Sequence, residues 1–312
     1  MKKFLIKAIL ITLFIAGALF VSFRYIRAQR YPYNAQTMAG AIIDKHARLR
    51  TLPSPRILII GGSNAMFGYN SREMEKKLGL PVQNMSLAAS LGLSFMLNEV
   101  KENVRAGDIV LFSPEYFLTE GDANVQRLLR ELYKPAGKYI DYTNKLEALK
   151  ADGVFISREI RNYILLFMFR KPVNTDDEAY SRRAFTETGD LKDSIRLQTH
   201  LPLRDGLPFS KTDYSHNIAK INNCIAQIEQ KGAKLYFVYP SIAQSQYQRN
   251  AEAIEDLHQQ FTAKLHTQML NKPIDSVYPD SSFYDTVYHL RSPDYLTHTN
   301  KVTGYLQAVL KK

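Results

Sequence analysis

Ser63, Asp285 and His289 are the residues of this chain whose types and spacing suit acyl transfer by serine. A serine hydroxyl is almost wholly protonated at neutral pH, so it attacks an ester only with a base within hydrogen-bond reach. A histidine serves as that base when a carboxylate holds its second ring nitrogen. Ser63 closes the run Arg56-Ile57-Leu58-Ile59-Ile60-Gly61-Gly62, and His289 follows Asp285 by four residues. Phe283, Tyr284, Val287, Tyr288 and Leu290 surround that pair and would shield it from water. The remaining histidines, His46, His200, His216, His258, His266 and His298, sit in polar surroundings that suit solvated or capping roles. Two plainer readings stand beside the chemical one: a Gly-Gly turn whose serine caps a helix, and a buried structural Asp and His pair.

The elements that would position these residues follow from hydrophobic periodicity. Ile57 to Ile60, bounded by two glycines, reads as a strand buried on both faces, and Ser63 then lies at the carboxyl end of a parallel sheet, where open α/β folds bind ligands. Ser71 to Leu78 reads as a helix, Pro81 to Leu87 as a second strand, Leu91 to Val104 as a helix, and Ile109 to Phe112 as a third strand. Residues 119–215 interrupt the alternation with charged, Tyr-rich helical and loop material. Within them Tyr163 to Phe169 is apolar but too short to span a bilayer, and is expected as a buried or interfacial helix. Alternation resumes with a helix over Asn217 to Gln230, a strand over Gly232 to Pro240, a helix over Ala251 to Leu270 and a last helix over Leu296 to Leu310. The expected fold class is α/β, a three-layer sandwich around a mostly parallel sheet.

Ahead of this domain, residues 4–23 form an apolar block in which only Lys7 is charged. Twenty helical residues reach roughly 30 Å, the thickness of the hydrocarbon core. No small-x-small cleavage site follows, so residues 1–30 are expected as an uncleaved anchor. Residues 31–55, with Pro32, Pro53 and Pro55, read as a linker with one helical stretch around Met38 to Leu49, and residues 56–312 as the folded domain. The net charge of +11 is partly the anchor's: residues 1–30 carry six basic residues and no acid, leaving 35 bases against 30 acids elsewhere. That diffuse excess, without a recognition motif, excludes nucleic acid as the expected partner. Cys224 is the sole cysteine, which leaves no internal disulfide and no Cys-x-x-Cys site; no metal or cofactor is expected.

The strand ending in Gly61-Gly62-Ser63-Asn64 and the Asp285…His289-Leu290 element before the last helix resemble the SGNH (GDSL-type) hydrolase superfamily. The likeness is nearest to its membrane-anchored branch, the teichoic-acid D-alanylation and alginate O-acetylation type proteins. It runs from about Arg56 to the C-terminus and is weakest over residues 119–215. It implies Ser63 as nucleophile, His289 as general base and Asp285 as its orienting carboxylate. Asn84-Met85-Ser86-Leu87-Ala88-Ala89 falls where the family's second block supplies an oxyanion N–H, here from Ala88 or Ala89, with Asn84 alongside. The sequence departs from the pattern three times, and in the first departure Ala89 stands where the second block has its oxyanion glycine, which a backbone N–H donor tolerates. Three residues, not two, separate Asp285 from His289, and the third block's Gly-x-Asn-Asp is replaced by Ser113-Pro114-Glu115-Tyr116-Phe117, which removes the side-chain oxyanion donor. Asn64 is a candidate substitute, Glu115 is either a substrate-positioning residue or a structural acid at a strand end, and Tyr116 is a candidate for substrate binding.

The expected function is a membrane-anchored serine esterase or O-acyltransferase acting on an acylated glycan or cell-envelope polymer, with the domain on the extracytoplasmic side. Its expected partners are the lipid bilayer, through residues 4–23, and a membrane-bound O-acyltransferase. The alternative is a catalytically degenerate envelope protein that binds a glycan or docks such a partner.

Overall fold

The computed structural model describes residues 2–142, 145–169, 178–198, 201–204, 206 and 209–311. In chain order the first elements are helix α1 (Lys2–Asn34), α2 (Ala41–Thr51), strand β1 (Ile57–Gly61), α3 (Ser63–Gly68), α4 (Ser71–Leu78), β2 (Val82–Asn84), α5 (Leu93–Asn103) and β3 (Ile109–Ser113). Then come α6 (Ala123–Leu132), α7 (Lys145–Phe169), α8 (Asp193–Arg196), α9 (Ser215–Gln230) and β4 (Lys234–Phe237). The chain closes with β5 (Ile242–Ala243), α10 (Gln244–Arg249), α11 (Ala251–Lys264), β6 (Val277–Tyr278) and α12 (Asp294–Leu310).

The central sheet is four-stranded and parallel, in the order β2-β1-β3-β4, and β5 pairs with β6 separately. Alternate residues of each strand serve opposite faces. Ile57, Ile59, Ile109 and Leu111 pack with Met74, Val302 and Leu306 from α4 and α12. Leu58, Ile60, Val110 and Phe112 pack on the other side with residues of α2, α5 and α9. Both faces are covered, which is why the strands read as unbroken apolar runs. Because β2 lies on one side of β1 and β3 on the other, the direction in which successive strands are added to the sheet reverses between β1 and β3. Such a switch point is where open α/β sheets leave a crevice for ligand.

Local signals set the element ends. The Asn70 side chain accepts the Glu73 N–H at 3.1 Å to cap α4, and Gly79 ends it in the left-handed region at φ 68°. Asp122 caps α6 in the same manner.

Residues 31–55 are not a linker. α1 runs on to Asn34, and its lower end is tied to the domain by ion pairs from Arg27 to Glu131 and from Arg30 to Glu159 at 3.3 Å. α2 buries Ala41, Ile42 and Leu49 in the main core. Proline spacing suggested a loose connection, but the apolar face of α2 outweighs it, and the folded unit begins before residue 56. Earlier along α1, Phe4, Leu10, Phe14 and Phe20 are fully or largely exposed, and the helix is long and apolar enough to cross a membrane by length and composition. The stretch Tyr163 to Phe169 ends the 25-residue α7, which packs on α1 and α6. Leu165 there is 44% exposed, so it is not a core position.

Candidate active site

Strand register brings the first two site residues together. Gly61 of β1 pairs with Ser113 of β3, so Ser63 and Glu115 each emerge two residues beyond the paired ends, side by side at the switch point. The glycines make this approach possible. A Cβ on Gly61 would lie 2.2 Å from the Ser113 carbonyl oxygen, and one on Gly62 would lie 2.1 Å from Glu115 Oε2. The Glu115 carboxyl therefore rests directly on Gly62. It accepts the Asn64 N–H at 3.0 Å, and the Ser63 hydroxyl donates to it at 3.5 Å. Glu115 is 3% exposed, and burial pushes its carboxyl up from 4.5 to about 7, against backbone N–H groups and the Ser63 hydroxyl that pull it down.

The opposite wall comes from the C-terminal loop. Phe283 and Leu290 form an antiparallel bridge, Tyr284 N–H donates to the His289 carbonyl at 2.8 Å, and His289 N–H donates to the Thr286 carbonyl at 3.3 Å. This tight turn absorbs the extra residue between Asp285 and His289. His289 Nδ1 lies 2.7 Å from Asp285 Oδ1, as the base and its orienting carboxylate require. Burial raises the Asp285 carboxyl, but hydrogen bonds from His289 and Tyr180 and the charges of His289 and Arg204 outweigh it and bring it below 3.8. The imidazole lies flat on Phe67, with ring centroids 4.0 Å apart and planes 4° apart. Phe67 is one turn of α3 beyond Ser63, so the ring stands beside the serine's helix. His289 Nε2 makes no hydrogen bond among the described residues, and Ser63 bonds Glu115, not His289. Catalytic hydrogen bonds in unliganded sites are commonly longer than in the reacting complex.

Tyr180 was not foreseen from sequence. Its hydroxyl donates to Asp285 Oδ2 at 2.6 Å and lies 3.3 Å from His289 Nδ1, so it holds the second carboxylate oxygen. It comes from the 119–215 segment, where no periodic pattern marks it. Of that segment, residues 143–144, 170–177, 199–200, 205 and 207–208 lie outside the described residues, His200 among them.

The other expected site residues divide. Ala88 and Ala89 end the β2 side of the crevice, half-buried, and their N–H groups have no protein acceptor among the described residues. Asn84 is spent on structure: its amide nitrogen donates to Ala65 O at 3.0 Å and Asp190 Oδ1 at 2.9 Å, while its oxygen accepts from Ser86 N–H. The same knot holds Lys45, whose ammonium donates to the carbonyls of Asn84, Ser86 and Gly189, and which burial lowers to about 7. Asn64 is not the expected oxyanion substitute, because its NH2 donates to Ser113 O at 3.1 Å and Ser113 Oγ at 3.3 Å. Tyr116 is a core residue, stacked between Phe209 and Tyr239. Two of the remaining histidines are buried instead of solvated. His46 bonds Glu99 at 2.9 Å, and His298 sits against Tyr69 and Tyr278. No group of His, Cys, Asp or Glu among the described residues is arranged to hold a metal.

No family model matches the chain, and no curated protein matches it.

Proposed function

We propose that this protein is a membrane-anchored serine acyl-transfer enzyme, an esterase or O-acyltransferase of SGNH type, acting on an acylated envelope glycan or polymer. The observation that carries the reading is the Asp285 and His289 pair, hydrogen-bonded at 2.7 Å and stacked on Phe67 one helical turn from Ser63. In this reading Ser63 Oγ bonds to the ester carbon as its proton passes to His289 Nε2. Asp285 and Tyr180 hold the imidazole and favour the imidazolium that forms. His289 then returns the proton to the departing alcohol, leaving an acyl group on Ser63. Water or a second hydroxyl takes that acyl group, which makes the outcome hydrolysis or transfer. The Ala88 and Ala89 N–H groups, without a protein acceptor among the described residues, support an oxyanion site on the β2 side. An anchor formed by α1 supports a substrate at the membrane surface, with the domain on the extracytoplasmic side and a membrane-bound O-acyltransferase as the acyl-supplying partner.

The test is turnover of p-nitrophenyl acetate by the full chain in detergent. Wild type is expected to exceed Ser63→Ala and His289→Ala by orders of magnitude, and equal rates in wild type and Ser63→Ala would sink the nucleophile. A second reading, a glycan-binding or docking module, is favoured by one observation: Ser63 bonds Glu115 and not His289. Saturable glycan binding that survives Ser63→Ala, with no turnover, would select it.

A further inference from the structure

An acyl-transfer site needs donors for the carbonyl oxygen as it becomes negative, and losing one costs about 10²–10³ in rate. The amide nearest the nucleophile cannot serve, because Asn64 Nδ2 is committed to Ser113 O and Ser113 Oγ. The side chain that does border the reacting atoms is Glu115. Its carboxyl covers Gly62, takes the Asn64 N–H at 3.0 Å and lies 3.5 Å from Ser63 Oγ. Ionised, it would repel an oxyanion formed next to it. Protonated, it offers that oxyanion an O–H.

We propose that Glu115, as the neutral acid, is the side-chain oxyanion donor of this site, aimed by the Asn64 N–H and by the contact with Gly62. The proposal rests on Ser63 being the nucleophile. When Ser63 Oγ bonds to the carbonyl carbon, the π electron pair moves onto oxygen and the serine proton goes to His289 Nε2. The Glu115 proton stays on Glu115 and forms a hydrogen bond only. A buried carboxylic acid kept neutral so that it can donate is a known device in enolising enzymes. Burial supplies the means here, holding Glu115 protonated up to about pH 7. The groups facing it are Ser63 and Asn64 from α3 and Tyr288 from the C-terminal loop. The Tyr288 phenol is pushed well up by the same burial, so it adds no charge.

The general-base role is already supplied. His289 has its orienting carboxylate and an Nε2 without a hydrogen bond among the described residues, whereas Glu115 would have to be an unsolvated carboxylate to take a proton. The two roles differ in what Glu115→Gln does, since glutamine keeps a donor at the same place but cannot act as a base.

The experiment follows covalent capture of Ser63 by a fluorophosphonate, using the full chain in detergent with intact-mass readout. Ser63 Oγ bonds to phosphorus, fluoride leaves, and the phosphoryl oxygen takes the oxyanion position. Wild type should label and Ser63→Ala should not; an unlabelled wild type removes the nucleophile and the proposal together. With wild type labelled, Glu115→Gln is expected within about tenfold of it, and Glu115→Ala slower by roughly 10²–10³. Wild-type labelling should also fall as pH rises through about 7, with this alkaline fall absent from Glu115→Gln. Glu115→Ala labelling as fast as wild type would show the carboxyl to be a plug, and a folded Glu115→Gln as slow as Glu115→Ala would show it to be a base. Either result overturns the proposal while leaving the nucleophile standing. If Glu115→Ala does not fold, the pH profiles of wild type and Glu115→Gln decide alone: identical profiles overturn the proposal.

Discussion

Asp285 is gripped on both oxygens, by His289 Nδ1 and by the Tyr180 hydroxyl, and this double grip fixes the plane of the imidazole. Removing the tyrosine hydroxyl leaves the histidine bond in place and loses one hydrogen bond, a change of about 0.5–1.5 kcal/mol. Tyr180→Phe should therefore lower kcat/KM by roughly two- to tenfold, while Asp285→Asn should cost on the order of 10³–10⁴ by imposing the wrong tautomer. Steady-state kinetics on an activated ester would check both, and a Tyr180→Phe loss as large as that of Asp285→Asn would contradict this division of labour. A second residue-level expectation concerns His298, which burial lowers from 6.5 to about 3, with the Lys301 charge adding to it. The unfolded chain binds the extra proton between those values, so stability contributed by neutral His298 is present above pH 6.5 and lost as pH falls towards 3. Glu115 acts in the opposite sense: its folded value of about 7 lies above 4.5, so its contribution is lost as pH rises from 4.5 through 7. Urea midpoints against pH should show Glu115→Gln gaining on wild type above pH 7 and not below pH 4.5. The Asp285 and His289 pair and the strand-end place of Ser63 are legible in the sequence, because a four-residue spacing and a Gly-Gly stop after an apolar run are local signals. Tyr180 is not, since it reaches Asp285 across 105 positions from a segment without periodicity, and neither is the destination of the Asn64 and Asn84 amides, which depends on which carbonyls the folded strands present.

At the scale of elements, the site is a consequence of the β1/β3 register and of the two glycines that follow β1. Their roles differ. A methyl on Gly61 meets the backbone oxygen of Ser113 at 2.2 Å and Ala65 Cβ at 3.0 Å, where neither strand nor helix can give way. One on Gly62 meets the far end of the Glu115 side chain, which can swing aside. Gly61→Ala should therefore lower stability by about 1–3 kcal/mol or more, a loss of several degrees in Tm. Gly62→Ala should leave Tm within a few degrees yet slow fluorophosphonate capture of Ser63, because it displaces the carboxyl. Thermal melts with labelling rates on the same samples separate the two; equal Tm losses would show that Glu115 cannot yield. The strands themselves were legible, since fully buried parallel strands leave unbroken apolar runs such as Ile57 to Ile60 and Ile109 to Phe112. The helical stretch of α2 was legible but its burial was not, because it carries Asp44, Lys45, His46, Arg48 and Arg50, and only the fold shows Asp44 and Arg50 exposed, Lys45 satisfied by three carbonyls and His46 by Glu99.

For the whole molecule, the division between the exposed apolar helix and the packed domain falls within α1, not after it. Its first two thirds present Phe4, Leu10, Phe14 and Phe20 outward, largely exposed among the described residues, whereas Arg30 is 6% exposed and paired with Glu159. Two truncations therefore have opposite expected outcomes. Removing residues 1–24 takes away the apolar stretch and keeps Arg27, Arg30 and the whole of α2, so the product should be soluble and folded, with Ser63 reactivity like that of the full chain. Removing residues 1–55 strips Ala41, Ile42 and Leu49 from the core and leaves Glu99 buried without His46. Each lost large aliphatic contact costs about 2–5 kcal/mol. An uncompensated buried carboxylate adds to this, so the total rivals the 5–15 kcal/mol that holds a domain together. That shorter product should be insoluble, or lack a cooperative urea transition by circular dichroism. A cooperative transition equal to that of the longer product would mean that α2 is dispensable, and that the folded unit begins at β1 after all.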